Sequence, residues 1–145
     1  MVTTVEAYNL LVIEDDPSEQ KLIRMMVKIS GYPFTIKFLN DGEEAVNFIK
    51  SFPDKEELFG KVHLIFLDLN LPKVNGIEVL KTIRQNDILK KTPVVVLTTS
   101  NSKSDINLAY EAGASGFVRK PSLVDEYEKA IRKVFDYWFG TCLTP

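Results

Sequence analysis

The sequence predicts an α/β fold, a doubly wound (βα)5 three-layer sandwich built on a parallel five-stranded sheet. Two observations predict it. Short apolar segments alternate with amphipathic helical segments along the chain. Residues 62–67 and 93–97 are almost continuously apolar, which is typical of strands that helices cover on both faces. Strands that alternate with helices through right-handed crossovers produce a parallel sheet between two helical layers.

The predicted strands are short apolar runs bounded by turn residues, and they cover residues 8–13, 34–39, 62–67, 93–97 and 116–119. The predicted helices carry apolar side chains every three or four positions, and they cover residues 17–30, 43–50, 76–85, 104–112 and 123–139. Pro17 suits a first helical turn, and Gly31 and Gly113 mark helix ends. Ser104 is the expected cap of the fourth helix. Residues 51–60 are polar and irregular, with one short helical turn.

The expected strand order is 2-1-3-4-5, which makes the fold flavodoxin-like and places its topological switch point between strands 1 and 3. Glu14 and Asp15 follow strand 1, and Asp68 follows strand 3. Open parallel sheets bind ligands beyond the carboxyl ends of their strands, at the switch point. The three carboxylates are therefore expected to converge where this fold binds ligands. Asp16, which precedes Pro17, is expected to cap the first helix instead.

Length and composition limit the class of protein. The 145 residues suffice for one domain, with a core of about residues 8–139 and a C-terminal tail of residues 140–145. With 18 basic and 20 acidic residues the formal net charge is -2, so nothing indicates nucleic-acid binding. No apolar run reaches the roughly 18 residues of a membrane span, and the N-terminus lacks signal-peptide features. Because Cys142 is the only cysteine, the reducing cytoplasm is the expected location.

The residues expected at this edge of the sheet suit one kind of chemistry. Clustered carboxylates repel each other unless a divalent cation lies among them, and Mg²⁺ prefers such hard oxygen ligands. A cation beside Asp68 would neutralise a phosphoryl group arriving on that carboxylate, which can act as a nucleophile. Thr98 ends strand 4 and Lys120 follows strand 5, so both could hold further phosphoryl oxygens. The pattern predicts an aspartyl-phosphate site.

On these residues the chain resembles the receiver domains of two-component response regulators over nearly its whole length. The matching pieces are Val12-Ile13-Glu14-Asp15-Asp16-Pro17, Leu67-Asp68-Leu69-Asn70-Leu71-Pro72, Gly76, Val96-Leu97-Thr98-Thr99-Ser100 and Arg119-Lys120-Pro121. Each piece is weak by itself, but five in this order and at these spacings form a highly specific pattern. The resemblance implies a phosphoacceptor signalling protein that is not an enzyme beyond its own phosphorylation and dephosphorylation.

The resemblance implies a role at each position that would meet the phosphoryl group. Asp68 is the implied phosphoacceptor, Lys120 would pair with the phosphoryl group, and Thr98 would move toward it. Phe117 takes the aromatic switch position, whose ring turns inward when Thr98 moves. A cis peptide bond between Lys120 and Pro121 is also implied.

Mg²⁺ is the implied cofactor. By the same resemblance, Asp15 and Asp68 would ligate the ion directly, and Glu14 would do so through a water molecule. The main-chain carbonyl of Asn70 would supply a further ligand.

A narrower resemblance concerns the partner. Residues 67–72, residues 92–100 and the aromatic run Tyr137-Trp138-Phe139 resemble single-domain regulators that pair with bacterial phytochrome-type histidine kinases, including the cyanobacterial ones. The chain departs from that subgroup at Ser115-Gly116, where a bulkier pair is more common. The implied partners are a sensor histidine kinase of this type and, for onward transfer, a histidine phosphotransfer protein.

The signal is expected to pass to other proteins through direct contact. The sequence has no helix-turn-helix motif and is too short to include an effector domain beside the receiver. The aromatic end of the last helix either folds back on the domain or forms an exposed apolar patch, and such patches mark interfaces. We expect a homodimer through the last helix and its neighbours, with Phe117, Tyr127, Trp138 and Phe139 at the interface.

Two other functions compete with this interpretation. A Mg²⁺-dependent phosphatase or phosphotransferase would also use an aspartyl nucleophile, but such enzymes carry an acid-base aspartate two residues later, where this chain has Asn70. A flavin-binding domain would need a phosphate-cradling loop after strand 1. Residues 14–16 are all acidic and would repel a phosphate there.

Overall fold

A parallel sheet of five strands, in the order β2-β1-β3-β4-β5, forms the centre of the computed structural model, which describes residues 7–53 and 60–144. Its strands are β1 (Tyr8–Ile13), β2 (Phe34–Leu39), β3 (Leu64–Leu67), β4 (Val94–Thr98) and β5 (Gly116–Arg119). The α-helices are α1 (Pro17–Ser30), α2 (Gly42–Ser51), α3 (Gly76–Gln85), α4 (Lys103–Glu111) and α5 (Val124–Phe135). The predicted fold class and strand order are confirmed. Within the described ranges, each helix is too short or too polar to cross a lipid bilayer.

Alternate side chains of β1 face two different helical layers. Leu11 and Ile13 pack with buried residues of α2 and α3, whereas Leu10 and Val12 pack with buried residues of α1 and α5. Every residue of β3 and β4 is buried, as their continuous apolarity predicts. The sheet is thus the middle layer of three, and its carboxyl edge is left for polar residues.

Two of the predicted helix boundaries are confirmed and one is wrong. Asp16 caps α1 by accepting a backbone N–H at 2.9 Å, and Gly31 ends the helix with a left-handed φ of 78°. The cap of α4 is Ser102 and not Ser104. The hydroxyl oxygen of Ser102 accepts the N–H of Asp105 at 3.1 Å, three residues on, so the helix begins earlier than predicted.

β3 is two residues shorter than predicted because a side chain replaces a backbone partner. The N–H of Asn9 donates to Nδ1 of the half-buried His63 at 2.9 Å. The regular ladder with β1 therefore starts at the pair Leu10 and Leu64. The short helical turn predicted within residues 51–60 falls on residues that lie largely outside the described ranges.

The last helix changes its geometry before its predicted end. The α-helical geometry of α5 ends at Phe135, and the chain continues as a wider π-helical turn at Asp136–Thr141. The hydroxyl of Tyr32 donates to Oδ1 of Asp136 at 2.7 Å. Phe139 packs on aromatic rings of β1 and β2, with centroid distances of 4.4 and 5.1 Å. The turn thereby folds back onto the amino ends of these strands.

The start of α3 lies against the chain segment that follows β3. The N–H of Gly76 donates to the carbonyl oxygen of Leu69 at 3.0 Å. A Cβ at position 76 would lie 2.5 Å from both the carbonyl oxygen of Asp68 and the Cα of Leu69. A side chain does not fit in that space. Because Gly76 has none, the start of α3 can approach the segment that carries Asp68.

Gly76→Ala is expected to lower the free energy of unfolding by about 1–3 kcal/mol, because the new methyl group displaces the backbone after β3. Denaturant-induced unfolding measures the change. Gly116→Ala is the matched control, since a Cβ there meets Val95 Cγ2 at an ordinary 3.7 Å. Equal unfolding free energies for Gly76→Ala and the unmodified protein would contradict the argument.

Candidate functional site

Two buried carboxylates lie at adjacent strand ends on the carboxyl edge of the sheet. Glu14 follows β1, and its side chain is held by an N–H donated from Asp16 at 3.1 Å. Asp68 follows β3, and its N–H donates to the carbonyl oxygen of Ile13 at 3.1 Å. Their exposed fractions are 3% for Glu14 and 9% for Asp68. The parallel pairing of β1 with β3 thus brings two acidic side chains out of water at one place.

Lys120 reaches both carboxylates. Its Nζ lies 3.0 Å from Oε2 of Glu14 and 3.0 Å from Oδ2 of Asp68, and its side chain is 7% exposed. The backbone N–H of Lys120 donates to the carbonyl oxygen of Thr98 at 2.7 Å, so the end of β4 positions it. The peptide between Lys120 and Pro121 is trans, so the expected cis bond is wrong. Trans is the form that an X–Pro bond favours by about 0.5–1 kcal/mol.

A third carboxylate completes an oxygen cluster. One oxygen each of Glu14, Asp15 and Asp68 lies within 4.8 Å of the others, and Asp15 is exposed to solvent. The backbone helps to orient the carboxylate of Asp68, because the N–H of Asn70 donates to its Oδ1 at 3.0 Å. Several hard oxygen donors with access to water form the kind of set that binds a divalent cation. The donor chemistry of these residues therefore fits the implied metal.

The charges of the cluster shift the proton affinities of its members. Burial is the main cause that raises the pKa of Glu14 to about 7, and the neighbouring Asp68 raises it further, while Lys120 lowers it. Burial alone would lower the pKa of Lys120, but the carboxylates of Asp68 and Glu14 raise it above its usual value. Lys120 therefore stays an ammonium ion, whereas Glu14 exchanges its proton near neutral pH.

Thr98 and Asn70 connect the cluster to the neighbouring loop. Thr98 is fully buried, and its Oγ1 accepts a hydrogen bond from Nδ2 of Asn70 at 3.5 Å. The N–H of Ser100 also lies 3.4 Å from this oxygen. Ser100 in turn donates its hydroxyl to the carboxylate of Asp105 in α4. The end of β4 is thus linked through side chains to the first turn of α4.

The residues expected at an interface divide between core and surface. Tyr127 is 2% exposed and belongs to the core, so its contacts are internal and it offers no surface to a partner. Phe139 is half-buried on the aromatic rings of β1 and β2. Trp138 and Phe117 are half-buried and line one groove beside β5. Phe117 also packs against Val96 and Leu69, close to the segment that carries Asp68.

Glu19 is a site residue that sequence reasoning did not identify. Its Oε2 lies 3.6 Å from Nζ of Lys120 and accepts the hydroxyl proton of Tyr127 at 3.4 Å. A signal was present, because Glu19 lies one helical turn after Asp15 and in the first turn of α1. A carboxylate at that position points back toward the strand end that α1 follows.

Comparison with known proteins agrees with this geometry. The family model of the response regulator receiver domain matches residues 10–132. Response regulator Rcp1 of Synechocystis sp. is 34% identical over 136 residues, which are 94% of this chain and 92% of Rcp1.

Two solved structures extend the comparison to three dimensions. The phosphorylated cyanobacterial phytochrome response regulator RcpA superposes with a TM-score of 0.87 and 28% identity, covering 97% of this chain and 99% of RcpA. The Mn²⁺-bound form of Rcp1 superposes with a TM-score of 0.81 and 32% identity, covering 95% of this chain and 99% of that one. Since the family match includes the sheet, the carboxylate cluster and Lys120 together, the chain belongs to the family of response regulator receiver domains.

Proposed function

We propose that the protein accepts a phosphoryl group from a histidine kinase onto Asp68, in a Mg²⁺-dependent reaction. The observation that carries this proposal is the Lys120 ammonium, which lies 3.0 Å from Asp68 inside a cluster of carboxylates. The lysine could hold the negative charge of a phosphoryl group on Asp68, which it contacts directly. The resemblance to response regulators supports the same assignment.

In the proposed transfer, a carboxylate oxygen of Asp68 attacks the phosphorus of a phosphohistidine. The bond between phosphorus and the imidazole nitrogen breaks, and the imidazole leaves with the bonding electrons. Lys120 holds one of the phosphoryl oxygens, and Thr98 holds another through its hydroxyl. A bound Mg²⁺ supplies positive charge to the phosphoryl oxygens, as such ions do in other phosphoryl transfers.

The residues that would hold the ion come from two strand ends. Asp15, Asp68 and the main-chain carbonyl of Asn70 are proposed as direct ligands, and Glu14 as a ligand through water. The common site of the three carboxylates supports this set. The Mn²⁺-bound form of Rcp1 shows that a similar regulator holds a divalent ion.

The proposed response begins at Thr98 and Phe117. Movement of the Thr98 hydroxyl toward a phosphoryl group would carry its oxygen away from Asn70 and Ser100, whose hydrogen bonds to it are already long at 3.5 and 3.4 Å. Phe117 pairs with Val96 in the register of β4 and β5, two residues before Thr98. Its ring is therefore placed to follow a change at the end of β4. Phosphorylation would bias the domain between two such arrangements.

The proposed kinase is a phytochrome-type sensor, because RcpA is a cyanobacterial phytochrome response regulator. A histidine phosphotransfer protein is the proposed recipient where the phosphoryl group moves on. The protein is proposed to act in the cytoplasm as a receiver without enzymatic activity toward other substrates. Phosphotransfer measured against a panel of histidine kinases separates this partner from others, since the cognate kinase transfers fastest.

A homodimer is proposed, with the groove beside β5 as its interface. Residues 8–139 are proposed to form one folded unit in each protomer. Tyr110 and Tyr137 border the groove with exposed fractions of 50% and 54%, and Phe117 and Trp138 line it. Gly116 leaves the strand edge without a side chain. Aromatic side chains that cluster at a surface favour association, because they bury large areas at small entropic cost.

Asp68→Asn is expected to abolish phosphorylation by acetyl phosphate in the presence of Mg²⁺, because an amide does not attack phosphorus as a carboxylate does. Intact-mass analysis should show one acid-labile phosphoryl group on the unmodified protein and none on the variant. Asp87→Asn, at an exposed carboxylate after α3, is the control and should be phosphorylated normally. An adduct that persists in Asp68→Asn would refute the assignment.

The affinity for Mg²⁺ is expected to rise about tenfold between about pH 6 and pH 8. The pKa of Glu14 is raised to about 7, so below that pH its proton competes with the cation, and above it the carboxylate is free. Electron paramagnetic resonance of free Mn²⁺, with Mg²⁺ in competition, measures the affinity. Glu14→Gln should bind more weakly and show a flatter pH profile. An affinity of the unmodified protein that stays constant over this range would contradict the argument.

Trp138→Glu is expected to convert a dimer into a monomer, because it places a charge in the groove. Light scattering measures the mass. Removal of the whole aromatic end is a poorer test, since it takes away Phe139 together with Trp138, and both pack against the core. Ile88→Glu is the control, because Ile88 is 53% exposed and lies outside the groove. A monomeric mass for the unmodified protein, or equal dissociation by the control, would refute the interface.

A further inference from the structure

A fourth carboxylate approaches the site lysine without joining the cation cluster. Oε2 of Glu19 lies 3.6 Å from Nζ of Lys120, whose contacts to Glu14 and Asp68 are 3.0 Å each. In the described part of the chain, the oxygen cluster consists of Glu14, Asp15 and Asp68, and Glu19 is not in it. Glu19 therefore faces the ammonium ion and not the place where a cation would lie.

Glu19 is held from behind by Tyr127. The hydroxyl of Tyr127 donates to Oε2 of Glu19 at 3.4 Å. The ring of Tyr127 is 2% exposed in the core, so its hydroxyl is a fixed point on α5. Burial and the nearby carboxylates raise the pKa of this hydroxyl, so it remains a donor. A partly exposed glutamate on α1 is thus aimed at Lys120 by a buried residue of another helix.

The proposed cation site and Lys120 share two carboxylates. Both contacts of Lys120 at 3.0 Å go to Glu14 and Asp68, which are two of the three members of the cation cluster. Two positive ions that share these carboxylates also repel each other in a buried site. A cation that enters must therefore weaken the contacts of Lys120. The ammonium is too buried to be solvated by water in place of a carboxylate. Besides Glu14 and Asp68, Glu19 already lies 3.6 Å from it.

We propose that Glu19 is a positioning residue that holds the Lys120 ammonium when a divalent cation takes over Glu14 and Asp68, with Tyr127 holding Glu19 in place. This inference rests on the cation site of the proposed function. Its consequence is twofold. Glu19 strengthens cation binding by giving the displaced ammonium a partner, and it keeps Lys120 beside Asp68 for the phosphoryl group that follows.

A double-mutant cycle tests whether Glu19 acts through Lys120. Glu19→Gln is expected to raise the Kd for Mg²⁺ about threefold to tenfold, measured by competition with Mn²⁺ in electron paramagnetic resonance. In a Lys120→Met background the same substitution should change the Kd less than about twofold, because the ammonium it serves is gone. Equal changes in both backgrounds would show that Glu19 acts on the cation directly and would overturn the proposal. Lys120→Gln is a second neutral background for the cycle.

Tyr127→Phe tests the support of Glu19 without changing any charge. It should raise the Kd about twofold to threefold in the unmodified background and leave it unchanged in Glu19→Gln. Tyr32→Phe is the matched control, because Tyr32 also donates its hydroxyl to a carboxylate, that of Asp136, at the other edge of the sheet. The control should leave the Kd unchanged. An equal effect of Tyr32→Phe would overturn the role of Tyr127.

The outcomes separate this inference from the proposed function. Mg²⁺ binding by the unmodified protein that Glu19→Gln leaves unchanged would overturn the inference alone. Failure of the unmodified protein to bind Mg²⁺ or Mn²⁺ would overturn the cation site of the proposed function, and the inference with it. Thermal unfolding of each variant without metal confirms that the compared proteins are folded.

Discussion

The contact of Lys120 with Glu14 and Asp68 is the interaction on which the rest of the site depends. The sheet places two carboxylates at adjacent strand ends, where only 3% and 9% of their residue surfaces remain exposed. Removing one partner of a buried ion pair costs about 3–5 kcal/mol, because the remaining charge stays out of water. Two buried acidic side chains alone would destabilise the fold. The lysine therefore stabilises this arrangement. Its own position follows from the pairing of β4 with β5, which brings its N–H to the carbonyl of Thr98.

A cluster neutralised by one lysine is also a cluster that responds to other cations. Burial, and then the neighbouring Asp68, raise the pKa of Glu14 to about 7 even with Lys120 in contact, so one ammonium offsets only part of the cost of burying two carboxylates. A divalent ion adds the missing charge, and the exposed Asp15 gives it a route from solvent. In the proposed function, the same contacts that stabilise the fold without a cation change when a cation or a phosphoryl group arrives. Stability and response use the same three side chains.

The fold and most of the site could be predicted from the sequence because their signals are local. Apolar runs predicted the strands, and the residues directly after them, Glu14 and Asp68, had to meet at one edge once the strand order was known. Two of the errors have different causes. Helix α4 is capped by Ser102 and not Ser104, although both are serines before a helical pattern, and the structure decides by one hydrogen bond. Glu19 was missed because its partner Lys120 is distant in sequence and meets it only through the packing of α1 beside α5.

The short strand β5 connects the site to the groove where a partner is proposed. Lys120 follows its last residue, and Phe117 lies three positions earlier on the same strand. In the π-helical turn after α5, Phe139 and Trp138 both pack against the core, and Trp138 also lines the groove. The strand has only four residues and is paired with β4 along its whole length. In the proposed response, a shift at its carboxyl end would therefore reach Phe117 through backbone pairing, without requiring a separate chain of side chains.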